Sequence, residues 1–411
     1  MTKTAPQHPA MDQFAVNGNN LVIGGIPLTV LAQRAGSTPF YVYDRQLISQ
    51  RVAELRQQMP QDLKIHYALK ANPMPAVVQH FAGLVDGFDL ASAGEMKVAL
   101  DTPMPAEHIS LAGPGKRPAE LAQAIAAGVT INVESPNELE TIAQLSEQSG
   151  IQARIALRIN PAFELKASGM KMGGGAKQFG IDEELLPEIL KRTKILALDF
   201  QGFHIYSGSQ NLKAEAIIDA QQKSLALAAR LSADCPSPIK KLNIGGGYGI
   251  PYFPGDTRLN TQAVGDALAE SMGHFHKTNP QAQVIVELGR YLVGEAGLYV
   301  CQVLDKKISR GQIYLVVNGG LHHHLAASGN FGQVIRKNYP AAIGNKMNGA
   351  VLETVNIVGP LCTPLDMLAD RMALPKAEIG DFVVLYQSGA YGYTASPTKF
   401  LSQPDALELL V

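Results

Sequence analysis

The sequence predicts an α/β protein: a parallel (β/α)8 barrel joined to a second, mostly β domain that the N-terminal segment completes. Three observations carry this expectation. Eight short apolar runs alternate with amphipathic stretches between residues 64 and 287. Each run ends at a break rich in Gly, Asn, Ser or Pro. After about residue 290 the long amphipathic stretches stop and strand-like runs follow one another across turns.

The eight runs are KIHYAL (64–69), GFDL (87–90), ISLA (109–112), TINV (130–133), ARIALR (153–158), DFQGFHI (199–205), KKLNI (240–244) and QVIVE (283–287). Between them, PAELAQAIAAG, PNELETIAQLSEQ and AEAIIDAQQKSLALAARLS space their apolar residues by three and four, the period of a helix with one buried face. Strands alternating with helices form a parallel sheet, and eight such units close a barrel. A doubly wound open sheet is the alternative. YVCQVLDKKI, GQIYLVVNGG, AVLETVNIVG and DFVVLYQSGA read as strands of the second domain. FAVNGNNLVIGGIPL near the N-terminus reads as a hairpin, its turn supplied by Asn and Gly. The expected boundaries are 36–290 for the barrel, with 1–35 and 291–411 for the β domain.

Bulk properties narrow the function. A chain of 411 residues is too long for one ordinary core. Its 35 basic and 36 acidic residues leave a net charge of -1, with no sustained positive field for nucleic acid or a membrane surface. The segment VIVELGRYLVGEAGLYV carries Glu287, Arg290 and Glu295, so it does not read as a membrane span. The N-terminal MTKTAPQHPAMDQ lacks the apolar stretch of a secretory signal. Three scattered cysteines, Cys235, Cys301 and Cys362, suit a reducing cytoplasm better than a disulfide framework or a zinc knuckle.

Barrels of this kind gather reactive groups where strands end. Lys70 closes the first run and Asp89 the second; Arg158 ends the fifth and His204 the sixth. Gly245, Gly246 and Gly247 follow the seventh, and Glu287, Gly289 and Arg290 the eighth. Glycine-rich turns after strands 7 and 8 let backbone N–H groups approach a phosphate. A phosphate site facing a strand-end lysine suggests a Schiff base to pyridoxal phosphate, with Glu287 placed to keep the pyridine nitrogen protonated.

These motifs also resemble a known family. YALKANP, FDLASAGE, LRINP, FGI, GFHIYSGSQ, NIGGGYGIP, VELGR, GPLCTPLD and GAYGYTAS occur in the order found in fold-type III pyridoxal-phosphate decarboxylases, the diaminopimelate and ornithine decarboxylase family. The resemblance implies an alanine-racemase-like barrel and pyridoxal 5'-phosphate held through Lys70, with Asp89 nearby. Arg158 would approach the cofactor's phenolic oxygen and His204 stack on its ring. Ser207, Gly246, Gly247, Gly289 and Arg290 would hold the phosphate, and Tyr391 would close over it. Glu287 would pair with the pyridinium. The family's active site lies at a head-to-tail dimer interface, so Cys362 and Asp366 would come from the second subunit of a homodimer. Cys362 is placed to return a proton to Cα after CO₂ leaves.

The chain departs from diaminopimelate decarboxylases in three places. Their cysteine is followed by Glu-Ser, whereas here Thr363-Pro364-Leu365-Asp366 follows Cys362. Their Arg-Pro step after the strand that here ends VVNGG is replaced by Leu321-His322-His323-His324. The segment from Asn160 to Gly180 is long and rich in Gly, Lys and Met. It is similar to a subgroup associated with exosortase systems, and to decarboxylases acting on a glutamyl group tethered to an acyl-carrier protein. The expected activity is therefore α-decarboxylation of an amino acid other than free diaminopimelate, either carrier-linked or small. Diaminopimelate decarboxylation is the alternative. A racemase on the same scaffold and a non-catalytic regulator are weaker ones, opposed by Glu287 and Cys362 and by the intact lysine and phosphate loops. No metal site is expected, because consecutive histidines in an extended segment point to opposite faces.

Overall fold

The structure, a computed structural model, describes residues 6–164, 170–333 and 335–411. Residues 165–169, inside the expected Asn160–Gly180 segment, lie outside the described residues. Two compact units form: residues 51–249 with 258–291, and residues 1–50 with 250–257 and 292–411.

The first unit is a closed parallel barrel. Its strands are β1 (Lys64–Ala68), β2 (Gly87–Leu90), β3 (Ile109–Leu111), β4 (Thr130–Val133), β5 (Arg154–Asn160), β6 (Asp199–Ile205), β7 (Lys241–Gly246) and β8 (Gln283–Leu288). Each pairs with the next, β8 pairs with β1, and the open-sheet alternative is excluded. The helices begin and end where local chemistry dictates. Ser92 Oγ accepts the Glu95 N–H and Ser135 Oγ the Glu138 N–H, satisfying amides at the first turns of Ala93–Leu100 and Pro136–Ser149. Gly128 and Gly150 close helices Pro118–Ala127 and Pro136–Ser149 in the left-handed region, where a side chain would be strained. The longest helix, Ala214–Leu231, buries Ile217, Gln221, Ser224, Leu225, Ala228 and Leu231 at intervals of three and four.

Strand alternation sorts the barrel residues. Thr130, Asn132 and Glu134 share one face with Ala156, Arg158 and Asn160, with Lys241 and Asn243, and with Ile285 and Glu287. Many of these line a small cavity of about 20 Å³ inside the barrel. The opposite faces carry the apolar residues Ile131, Leu157, Leu242 and Val286, all buried. A lumen with this much polarity must satisfy its groups internally, and that requirement shapes the site described below.

In the second unit the sheet runs Ala341–Ile343, Phe382–Leu385, Gly297–Ser309, Gln312–Val317, Leu352–Val358, Met367–Pro375. The expected N-terminal hairpin forms between Ala15–Asn17 and Asn20–Ile23. Residues 36–50, expected with the barrel, group with this unit instead. The reason is strand Phe40–Tyr43, which pairs antiparallel with Gly297–Val300 and parallel with Leu407–Leu410. Its Phe40 and Val42 join Leu298, Val300, Val384, Phe14 and Leu31 in one apolar core. Among the described residues, no helix is long and apolar enough to cross a membrane.

Candidate active site

Lys70 stands in a single 3-10 turn, Leu69–Ala71, directly after β1. The turn is fixed from behind. Asn72 is buried; its carbonyl accepts the Tyr67 hydroxyl at 2.9 Å and its side chain accepts the Met74 N–H at 3.1 Å. Lys70 itself is exposed, with its amine 5.0 Å from the centroid of the Tyr206 ring. The chain thus fixes the turn that carries the lysine, and the lysine stands exposed on it.

Glu287, at the end of β8, is 5% exposed, and burial alone would raise its pKa. His204, Lys70 and Arg158 outweigh that and hold the carboxyl at about 2. His204 Nε2 donates to Glu287 Oε2 at 3.0 Å, and Asn243 Nδ2 donates to the same oxygen at 2.9 Å. Asp89 lies beneath. It accepts the Ser110 hydroxyl, sits 3.5 Å from Asn243 Nδ2 and 3.4 Å from His66 Nδ1. Asp89 therefore supports the floor of the site through Ser110 and Asn243.

A second buried network surrounds Arg158. Its guanidinium donates to Glu134 Oε1 at 2.8 Å and lies 5.1 Å from the centroid of Phe179. Glu134 also accepts the N–H groups of Gly113 and Gly180, at 2.5 and 3.2 Å. Burial pushes Glu134 up, but Arg158 and Lys116 overcome it and its pKa falls. Lys116 is shared with Glu138, 2.8 Å away, whose pKa burial leaves raised.

The glycine turn after β7 is locally determined. Gly245 and Gly247 adopt φ of +71° and +77°, which favour glycine, and a Cβ at Gly246 would overlap the Glu287 carbonyl. Gly289 packs against Ala71, where a Cβ would come within 2.7 Å of the alanine methyl. Asn211 N donates to Gly247 O and Gly249 N to Asn211 O, both at 2.9 Å, interlocking the turns after β6 and β7. Ser207 is buried on the first of these turns.

The described ends of the Asn160–Gly180 segment are tied to β5. Asn160 accepts the Gly174 N–H at 3.1 Å and donates to Gly175 O at 2.8 Å and Asp182 Oδ1 at 2.7 Å. Met170–Lys171 pairs antiparallel with Gly208–Ser209, beside Ser207.

The remaining expected residues belong to the β unit. Burial pushes the Cys301 thiol up to about 12, as it does that of Cys235 in the barrel unit, whereas Cys362 is exposed. Asp366 is 2% exposed; its carboxylate accepts the N–H of Leu321 at 2.6 Å and of Leu361 at 2.9 Å. Both oxygens thereby fix the turns that carry His322 and Cys362. Tyr391 adopts φ of +53°, strained for an aromatic residue. His322, His323 and His324 are almost fully buried, and burial lowers all three pKa values, His322 to about 4 and His324 to about 3. His323 donates to Pro404 O at 2.7 Å and His324 bonds Ser388 Oγ at 3.0 Å. Among the described residues, no group of three or more His, Cys, Asp or Glu side chains is arranged to hold a metal ion.

The family model for "Pyridoxal-dependent decarboxylase, pyridoxal binding domain" matches residues 45–294. The chain belongs to this family. It is 36% identical over 389 residues to an L-glutamyl-[BtrI acyl-carrier protein] decarboxylase of Niallia circulans, covering 93% of this chain and 90% of the relative. It is 33% identical over 398 residues to a diaminopimelate decarboxylase of Aquifex aeolicus, covering 95% and 90%. Among solved structures, diaminopimelate decarboxylase from Helicobacter pylori complexed with L-lysine superposes with a TM-score of 0.82 at 28% identity, over 93% of this chain and 94% of that one.

As a family member the chain is a pyridoxal-phosphate-dependent decarboxylase, and its barrel fits that cofactor. An exposed lysine at a strand end, a buried carboxylate held ionised, and glycine turns with no room for side chains are the groups a phosphorylated pyridine aldehyde requires. His204 Nδ1 is buried with no hydrogen-bond partner among the described residues. Within the barrel unit the structure brings together Lys70, Arg158, His204 and Glu287, and the turns bearing Ser207 and Gly245–Gly247. Sequence reasoning missed Asn243, Glu134 and Lys116. Glu134 had a readable signal, an acid closing the run TINVE, while Asn243 was hidden inside a strand whose neighbours are apolar.

Proposed function

We propose that this decarboxylase acts on an amino-acyl substrate whose distal end carries no free amino-acid group, a glutamyl unit on an acyl-carrier protein fitting best. The observation that carries the reading is the state of His322–His324. They stand where the diaminopimelate enzymes place Arg-Pro, yet they are buried and neutral, so they offer a distal carboxylate no cation. Thr363 likewise offers no charge to a distal amine. The likeness to the carrier-protein glutamyl decarboxylase supports the same reading.

Bound pyridoxal phosphate supplies the electron sink for the pair left when the Cα–carboxylate bond breaks. Lys70 would hold the cofactor and yield its place to the substrate amine. Glu287, kept ionised, would face the ring nitrogen and hold a proton there. His204 would lie on the ring face, its Nε2–H committed to Glu287. Arg158 would approach the phenolic oxygen. Ser207, Gly246, Gly247, Gly289, Arg290 and Tyr391 would orient the phosphate. After CO₂ departs, the Cys362 thiol would deliver a proton to Cα, leaving an amine one carboxylate shorter. In this reading two cytoplasmic subunits form a homodimer, and each supplies Cys362 to the other's barrel.

A decarboxylation panel tests it: carrier-bound glutamate, meso-diaminopimelate, ornithine, lysine and arginine, read as CO₂ released and product mass. Carrier-bound glutamate is expected to exceed diaminopimelate by about 10²-fold in kcat/KM, the scale on which a pocket without a matching partner rejects an added polar group. Efficient diaminopimelate turnover would instead establish the second reading, which the Aquifex relative favours.

A further inference from the structure

Asn243 lies on β7, fully inside the barrel, where the β7–β8 ladder slips. Asn243 pairs with Ile285, but the next partners are Gly246 and Glu287, so β7 carries one extra residue. The slip begins at Gly245, whose N–H donates to Asn243 Oδ1 at 2.8 Å, a side-chain turn two residues long. The other end of the same amide donates to Glu287 Oε2 at 2.9 Å and faces Asp89 at 3.5 Å. This orientation is forced. A flipped amide would set its oxygen against two carboxylates and its NH₂ against the Gly245 N–H.

We propose that Asn243 is a positioning residue that couples the two ends of the cofactor site, because one rigid amide sets both the carboxylate for the ring nitrogen and the bulge that opens the phosphate turn. The inference rests on the reading that Glu287 meets the ring nitrogen and Gly246–Gly247 the phosphate. An amide spans only a few ångströms, so a displacement at either end moves the other. Asp89 completes the arrangement. Held by the Ser110 hydroxyl, it gives the Asn243 NH₂ a second acceptor and stops the amide from rotating.

Two substitutions separate the halves. Asn243→Ser keeps a short oxygen able to accept the Gly245 N–H but cannot reach Glu287. Asn243→Leu keeps the volume and loses both contacts. For each holoenzyme, two properties are read: the dissociation constants of pyridoxal phosphate and of pyridoxal, which lacks the phosphate, and the pH titration of the bound cofactor's absorbance. Asn243→Leu is expected to weaken pyridoxal phosphate about tenfold, the scale of one hydrogen bond to a charged group, to erode its preference over pyridoxal, and to shift the titration. Asn243→Ser should shift the titration alone.

A Leu variant that moves only one property overturns the coupling, as does one that merely melts at lower temperature. If Asn243→Leu does not fold, the Ser variant decides: an unshifted titration overturns the proposal. Failure of the underlying site reading looks different. The unaltered protein would then bind pyridoxal as tightly as pyridoxal phosphate, or Glu287→Gln would leave the titration unchanged.

Discussion

The barrel mouth and the turns of the β unit that carry His322 and Cys362 hold their polar groups by opposite means. In the barrel, charges answer charges: Glu287 is matched by His204, Lys70 and Arg158, and Glu134 by Arg158 and Lys116. In those turns, the buried Asp366 carboxylate is held by two backbone N–H groups, and three adjacent histidines are kept neutral by burial. The first arrangement keeps ionised groups in low dielectric for chemistry on a charged cofactor. The second fixes the shape of loops and offers no charge to a substrate. Under the proposed reading, cofactor chemistry and substrate choice draw on two different means, ion pairs in the barrel and backbone geometry in these turns.

The sharpest way to break this contrast is to remove a barrel charge. Lys70→Ala is expected to abolish the visible absorbance of bound cofactor and to lower CO₂ release by about 10³-fold or more, at the upper end for a lost covalent catalyst. Glu287→Gln keeps the shape and the contacts but discards the charge; kcat should fall by about 10²–10³-fold with cofactor still bound. A barrel substitution that changed only melting temperature would show the ion pairs to be scaffolding.

Asp366→Asn tests the other side. One backbone N–H would face an NH₂ group in a buried site, costing roughly 1–3 kcal/mol of stability, measured by denaturant titration, while cofactor absorbance stays unchanged. Acid gives the mildest and most general test. The histidines fold neutral with pKa values below their usual 6.5, so their contribution is intact above pH 6.5. It is lost as protonation favours unfolding, from 6.5 down to about 4 for His322. Glu287 is depressed from 4.5 to about 2, so its contribution holds above pH 4.5 and fails only towards 2. The β unit should therefore lose structure at higher pH than the barrel, followed by near-UV circular dichroism. His322→Phe should lower the β unit's acid midpoint.

Much of the barrel was legible because its signals are local. An apolar run followed by a break rich in Gly, Asn, Ser or Pro recurs eight times, and all eight expected strands form within one or two residues of their expected limits. The same locality exposed Lys70, Glu287 and the triple glycine. What escaped depends on partners distant in the chain. Phe40–Tyr43 belongs with the β unit only through partners far along the chain, Gly297–Val300 and Leu407–Leu410. Met367–Pro375 carries Asp370 and Arg371 within a strand, which blurs its alternation.

Asn160, at the tip of β5, accepts the Gly174 N–H and donates to Gly175 O, so the chain leaves the barrel and returns to it at one point. Met170–Lys171 pairs with Gly208–Ser209, next to Ser207, and Met172 N donates to Ser207 O. Loop and turn therefore vary together: any other segment in this position is constrained to keep both the Asn160 clasp and the short ladder beside Ser207.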